Sequence, residues 1–378
     1  MKTEQKKWTA SSGWDHPLPG PSNSLYELAF VFGSTALIKD KARLEEIHRA
    51  YPKAYLFGCS TAGEICGTQV SDDSLVVTAV HFEHTRFESA VTTLSGPEES
   101  YKAGQELAKR LKPEGLAHVL VLSEGLSING SDFVKGLTEN LPKNVTATGG
   151  LSGDGARFKE TWIVAGSEAK KNTIGVLGFY GDKLKVGYGS LGGWDAFGPE
   201  RVITRSKANV LFELDKQSAL GLYKTYLGEH ASGLPATGLL FPLSLKAKTD
   251  SVAVVRTILA VNEKEQSMTF AGNVPEGATA RLMKANFDRL IEGASGAAKN
   301  SQSLQKSSPA LAVLVSCVGR KLILNQRIEE EVEGVREILG PGAALTGFYS
   351  YGEISPFTPG AKCELHNQTM TITTFSED

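Results

Sequence analysis

With 378 residues, 41% hydrophobic and 22% charged, the chain has material for two domains with well-buried cores. Forty basic residues against 42 acidic ones leave a formal net charge of -2, so no global field exists to recruit nucleic acid or an anionic membrane. No apolar run is long enough to span a bilayer, and the start Met1-Lys-Thr-Glu-Gln-Lys-Lys lacks the apolar core of an export signal, which predicts a cytoplasmic protein.

Residues 1–24, with Trp8 and Trp14 among polar neighbours, read as an N-terminal arm packed on the body by its aromatics. A β-loop-α-β pattern comes next: a strand over 28–32, a helix over 41–51 with Leu44, Ile47 and Tyr51 on one face, and a strand over 54–57. It ends in the glycine turn Gly58-Cys-Ser-Thr-Ala-Gly-Glu-Ile. Strands over 75–81 and 87–93 come after it, then a helix over 100–111. The pattern repeats with a strand over 119–122, a helix carrying Phe133, Val134, Leu137 and Leu141, a strand over 145–148, and the turn Gly149-Gly-Leu-Ser-Gly-Asp. Residues 161–164, 173–180 and 184–188 read as a meander with a hairpin turn at Tyr180-Gly-Asp.

A loop from Gly193 to Pro199 leads to residues 202–205, and Asp215 reads as the N-cap of a helix with Ala219, Leu220, Tyr223 and Leu227, closed by Gly228. The domain boundary is placed there, giving an arm over 1–24, one domain over 25–228 and a second over 229–378. Strands over 251–261 and 267–271 pair across residues 262–265; a strand over 280–283, a helix over 286–298 and a polar linker over 300–308 complete this stretch. The third copy has strands over 311–315 and 344–346 around a helix with Ile328, Val332, Val335 and Leu339, and closes in Gly347-Phe-Tyr-Ser-Tyr-Gly-Glu-Ile. The predicted fold class is therefore α+β, with mixed sheets flanked by helices, repeated β-loop-α-β units followed by antiparallel strands, and two related domains.

Parallel crossovers are right-handed, so each second strand delivers its turn to a predictable sheet edge. Three turns rich in glycine, hydroxyls and acids predict a ligand-lined hollow, against the alternative that the glycines only make tight turns and the acids cap the next segment. Cys59, Cys66, Cys317 and Cys363 show no Cys-x-x-Cys spacing, which argues for reduced thiols and against a zinc site or disulfide framework. No metal is expected.

The three turns, Gly193-Trp194, Glu213-Leu-Asp215 with Ala219 and Tyr223, Phe241-Pro-Leu243, Phe270 to Gly277, Ser316 to Arg320 and His366 to Thr369 together resemble the FIST family over nearly the whole chain. The part from about Ser24 to Leu227 is similar to the FIST N domain, and the remainder to FIST C. The resemblance implies a cytoplasmic signal-input protein that senses a small molecule, such as an amino acid or similar metabolite. Its relatives are encoded beside or fused with histidine kinases, chemoreceptors or cyclic-dinucleotide enzymes. Residues 1–24 are too short for the F-box of eukaryotic relatives, and no kinase or cyclase is attached, so the resemblance leaves the output to another protein in a two-component or related system.

The sensing reading assigns ligand contacts to Cys59, Ser60, Thr61 and Glu64, to Gly150, Ser152 and Asp154, and to Tyr349, Tyr351 and Glu353. Arg320 either clamps a ligand carboxylate or pairs internally with Glu353 or Glu64. Trp194 either stacks on a ligand or plugs a core edge. No cofactor is predicted outright. Because some relatives bind haem and respond to nitric oxide, His366 is the axial candidate if haem is bound. A hydrolase-like reading would use Cys59 or Ser60 as nucleophile, but the histidines are poorly placed to serve as base, so no catalytic residue is assigned.

Overall fold

The computed structural model describes residues 1–20, 25–247, 253–305, 307–357 and 360–378. The three repeated units form as parallel strand pairs. Leu28–Gly33 lies beside Tyr55–Ser60, Leu116–Ser123 beside Thr146–Leu151, and Leu311–Cys317 beside Ala344–Ser350. Their strands are buried throughout most of their length, as parallel pairs covered on both faces must be. The helices Lys41–Ala50, Gly130–Thr138 and Ile328–Leu339 supply the crossovers and bury the apolar stripes read from the sequence. Side chains of Asp40 and Asn129 cap the first two.

Each pair sits in a core sheet of the same five-strand plan. In the first sheet the order runs Ile163–Ala165, Tyr55–Ser60, Leu28–Gly33, Ser74–His81, Lys2–Thr9. In the second it is Gly352–Pro356, Thr146–Leu151, Leu116–Ser123, Thr173–Tyr180, Arg86–Thr93. In the third it is Glu64–Cys66, Ala344–Ser350, Leu311–Cys317, Met370–Glu377, Leu184–Leu191. In every unit, then, the short strand after the glycine turn joins a different sheet. The turn of the first unit feeds the third sheet, that of the third feeds the second, and that of the second feeds the first.

The outer strands are exchanged in the same way. Ser74–His81 belongs to the first sheet while the next strand, Arg86–Thr93, belongs to the second; Thr173–Tyr180 and Leu184–Leu191 are likewise split between second and third. The Met1 ammonium lies 3.3 Å from the Glu377 carboxylate, so Met370–Glu377 of the third sheet ends where Lys2–Thr9 of the first begins. The core is a ring of three sheets with pseudo-threefold symmetry. An eight-stranded antiparallel sheet spanning Asp195–Lys284, with the helix Ala219–Leu227, is inserted into the third unit and has its own apolar cluster around Leu220, Tyr223 and Phe270.

The mixed α+β class expected from the sequence is present, but several local expectations change. Lys2–Thr9 is a full strand paired with Ser74–His81 rather than an arm. The expected meander over 161–188 is split among three sheets: Ile163–Ala165 and Glu168–Lys170 pair in the first, Thr173–Tyr180 lies in the second and Leu184–Leu191 in the third. Asp195–Lys207 is one long strand where a loop was expected. Ser218 caps the helix Ala219–Leu227, while Asp215 sits at φ +50° in the preceding turn and binds Arg201 at 2.9 Å. The helix Phe287–Ser303 runs through the first residues of the expected linker, and Arg320 lies on the helix Val318–Leu324. The expected starts at Ser24 and Ser251 lie outside the described residues.

Candidate functional site

The three glycine turns meet on the pseudo-threefold axis. The Ala62 N–H donates to the Tyr349 carbonyl at 2.8 Å, the Tyr351 N–H to Leu151 at 3.1 Å, and the Gly153 N–H to Ser60 at 2.9 Å. This closed triangle of backbone bonds joins each unit to the next and leaves the turn residues buried. The first glycine of each turn has one role in all three copies. A Cβ on Gly58, Gly149 or Gly347 would lie 1.8, 1.9 and 1.9 Å from the carbonyl oxygen of Val31, Val121 or Leu314 on the neighbouring parallel strand. Those glycines set strand approach.

The acids of the first and third turns are staples. Glu64 accepts from the Thr61 hydroxyl at 2.5 Å and from both N–H and hydroxyl of Ser74 at 3.1 and 2.7 Å. Glu353 repeats the arrangement with the Ser350 hydroxyl at 2.6 Å and the N–H and hydroxyl of Thr369 at 3.1 and 3.0 Å. The register places Ile163 at the corresponding point of the second unit, where no acid stands. Asp154 instead organises the loop that replaces it, accepting the N–H groups of Phe158, Lys159 and Glu160 at 2.8, 2.9 and 3.0 Å and the Tyr351 hydroxyl.

Burial pushes the Glu64 and Glu353 carboxyls up, to about 7 and about 8, against the lowering effect of their hydrogen bonds. Folded-state values above the ordinary 4.5 mean that protonation favours the fold. Their contribution is complete below about 4.5 and is lost as pH rises through 7 and 8. Buried His118 and His366, lowered to about 3 and about 4, act oppositely but only below their ordinary 6.5. Between pH 6.5 and 8 the carboxyls set the slope. Urea unfolding midpoints should therefore fall across that window, and Glu353→Gln should flatten the decline; a parallel wild-type and variant profile would refute the assignment.

The remaining expected contacts are internal. Arg320 is fully buried and pairs with Glu331, at 2.7 Å, rather than with Glu353 or Glu64; it also donates to the carbonyls of Gly192 and Leu290 at 2.6 and 2.7 Å. Tyr349 donates to the other Glu331 oxygen at 2.7 Å. Trp194 plugs a cluster with Leu290, Ile323 and Leu324 and donates to the Gln368 carbonyl at 3.0 Å. Cys59 is wholly buried, with its thiol pushed well above the ordinary range, and Ser60 Oγ accepts the Trp162 N–H at 2.9 Å. Gly150 pairs with Glu353 across the second sheet, and Ser152 is buried.

A cavity of about 560 Å³ opens beside the axis, between the second and third turns and the inserted sheet. From the core it takes Gly125, Leu126, Leu151, Cys317, Leu322 and Tyr351, and from the insertion Leu239, Thr257, Leu259 and Phe270 among others. Of the twelve contacts expected from the sequence, Tyr351 alone lines it. Its ring stacks on Phe158 at 4.4 Å, forming a ledge at the mouth. Polar ties hold the insertion over the core: Asn129 and Asp132 bind Asn273 at 2.9 Å each, and Arg256 donates to the Leu365 carbonyl at 2.8 Å. The apolar dipeptide Gly125-Leu126 ahead of the second crossover helix, and Leu322 on the helix after Cys317, were the available signals for this wall.

The expected axial ligand for haem does not reach this cavity. His366 is 1% exposed, lies outside the lining, and its Nε2 is 2.8 Å from the Ser355 carbonyl. Among the described lining residues none is cationic to meet the propionates, and burial holds the Cys317 thiol protonated.

Among the described residues no helix is long and apolar enough to cross a membrane. Two solved structures are similar over their whole lengths. One is a cyanuric acid hydrolase from A. caulinodans, 9% identical with a TM-score of 0.33, covering 100% of this chain and 99% of that one. The other, also a cyanuric acid hydrolase, is 9% identical with a TM-score of 0.29 at the same coverage. No curated protein matches the chain. The FIST N domain matches residues 27–217 and the FIST C domain residues 219–356. With most of its length accounted for by these two consecutive matches, the chain belongs to the FIST family.

Proposed function

We propose that the protein is a signal-input module whose small ligand occupies the cavity between the sheet ring and the inserted sheet. FIST domains are associated with small-ligand sensing in signal transduction. The observation that carries the reading is the origin of the cavity walls, about half from the sheet core, where Leu151 and Tyr351 of the axis turns join the segments after the first strands of the second and third units, and half from the insertion. Its volume falls within the range of small-molecule sites, on the order of 300–1,000 Å³. A ligand touching both bodies favours whichever arrangement gives it the better contacts, and it shifts their equilibrium by that difference in affinity. The insertion then presents an occupied or empty face to a separate output protein. A histidine kinase, a chemoreceptor or a cyclic-dinucleotide enzyme in the cytoplasm fits that role.

Ala156 lines the mouth and is exposed, so a tryptophan there fills the entrance without disturbing the core. Native mass spectrometry of protein isolated from its source should show a small-molecule adduct on the wild type, and Ala156→Trp should lose it. An adduct retained by the variant would reject the cavity as its site.

A further inference from the structure

We infer that the cavity takes an uncharged, flat and mainly apolar molecule carrying one hydrogen-bonding group, which meets Thr257 Oγ1. The inference rests on the reading of this cavity as the ligand site and adds the ligand's chemical class. None of the described residues lining the cavity carries a formal charge. A charged ligand would give up hydration there with no counter-ion to receive it. That sets the class apart from a free amino acid, whose ammonium and carboxylate both need partners.

Three features describe the molecule positively. Four of the nine exposed large hydrophobic side chains in the described residues, Leu126, Phe158, Leu259 and Leu322, lie on this one lining. Exposed apolar groups gathered in one place mark a binding surface, whereas singly scattered ones need no explanation. The stacked Phe158 and Tyr351 rings give a flat aromatic ledge on which a planar molecule gains contact area. Thr257 is 5% exposed and its hydroxyl has no partner, although buried hydroxyls are nearly always bonded. Of the polar side chains on the described lining, Asn209 already donates to the Phe270 carbonyl and the Tyr351 hydroxyl to Asp154, which leaves Thr257 with the hydroxyl still to be bonded.

The test uses two dyes with a shared skeleton. N-phenyl-1-naphthylamine is neutral with one N–H; 1-anilinonaphthalene-8-sulfonate adds an anionic group to the same rings. Fluorescence titration of the full chain should show one saturable site for the neutral dye, binding about tenfold or more tighter than the sulfonate, as expected when an unpaired charge must enter an apolar site. Ala156→Trp should remove that site. Thr257→Val should weaken the neutral dye about threefold to tenfold, the usual value of one hydrogen bond, while its unfolding midpoint stays at or above wild type because an unpartnered hydroxyl is gone. Equal or tighter sulfonate binding that Ala156→Trp abolishes would overturn the inference and leave the cavity as the ligand site. Dye binding that Ala156→Trp does not change, or no binding of either dye, would overturn both.

Discussion

Arg320→Ala is expected to lower the unfolding free energy by about 3–5 kcal/mol, the range found when one partner of a buried ion pair is removed. The guanidinium and the Glu331 carboxylate are both fully buried, so deleting the first leaves the second charged in a site that water does not reach. The loss extends beyond the pair. Ser316 and Tyr349 also donate to Glu331, and the Gly192 and Leu290 carbonyls would each lose a donor. Because Gly192 and Leu290 flank the root of the insertion, the same substitution should loosen the inserted sheet. Urea denaturation reads the effect as a reduced midpoint with an unchanged slope. A fall below 1 kcal/mol, with dye binding lost instead, would restore Arg320 as a ligand contact.

Gly347→Ala should cost about 3 kcal/mol or more, at or beyond the upper end of ordinary overpacking, because the new Cβ meets a backbone oxygen that no rotamer change can move. The Leu314 carbonyl lies 1.9 Å from that position, on the strand paired in parallel with it. Relief requires the two strands to separate, and that would pull on the neighbouring axis bond between Ala62 and Tyr349. Gly342→Ala is the control. It has open space and an ordinary φ, so the substitution should be neutral or stabilising by about 0.4–1 kcal/mol through the unfolded chain. Equal effects at the two positions would refute the strand-approach account.

Much of the core could be read from residue patterns. The stripe of Ile328, Val332, Val335 and Leu339 defines a helix observed over Ile328–Leu339, and the continuous apolar runs locate all three parallel pairs. Strand exchange was hidden because alternation is the same whether a strand pairs with its chain neighbour or with another unit; residues 161–188 satisfied a local meander equally well. Lys2–Thr9 was hidden by its polarity, since a strand near the sheet edge, with a second partner only at Trp8 and Thr9, needs only part burial.

The site was less legible than the fold. Glu64, Asp154 and Glu353 stand where a binding loop would put its acids, yet their oxygens are taken up by hydroxyls and N–H groups of the protein itself. Glu331 was the partner of Arg320 and had a signal: it falls three residues after Ile328 and one before Val332, inside the apolar stripe, where a lone acid must find an internal donor. The cavity wall comes from apolar residues on well-separated segments, and each segment alone resembles ordinary core.

The triangle of backbone bonds at the axis also determines how the molecule comes apart. Each sheet owns a strand donated by another unit, so no single unit can melt while its neighbours keep complete hydrogen bonding. The stretches matched by FIST N and FIST C are interleaved, with Glu64–Cys66 completing a sheet from the second stretch and Gly352–Pro356 completing one from the first. Cutting the chain near residue 218 would leave two fragments with open sheet edges. The inserted sheet stands outside this mutual dependence: it shares no strand with the ring and is joined to it by side-chain ties such as Asn129 to Asn273 and Arg256 to the Leu365 carbonyl.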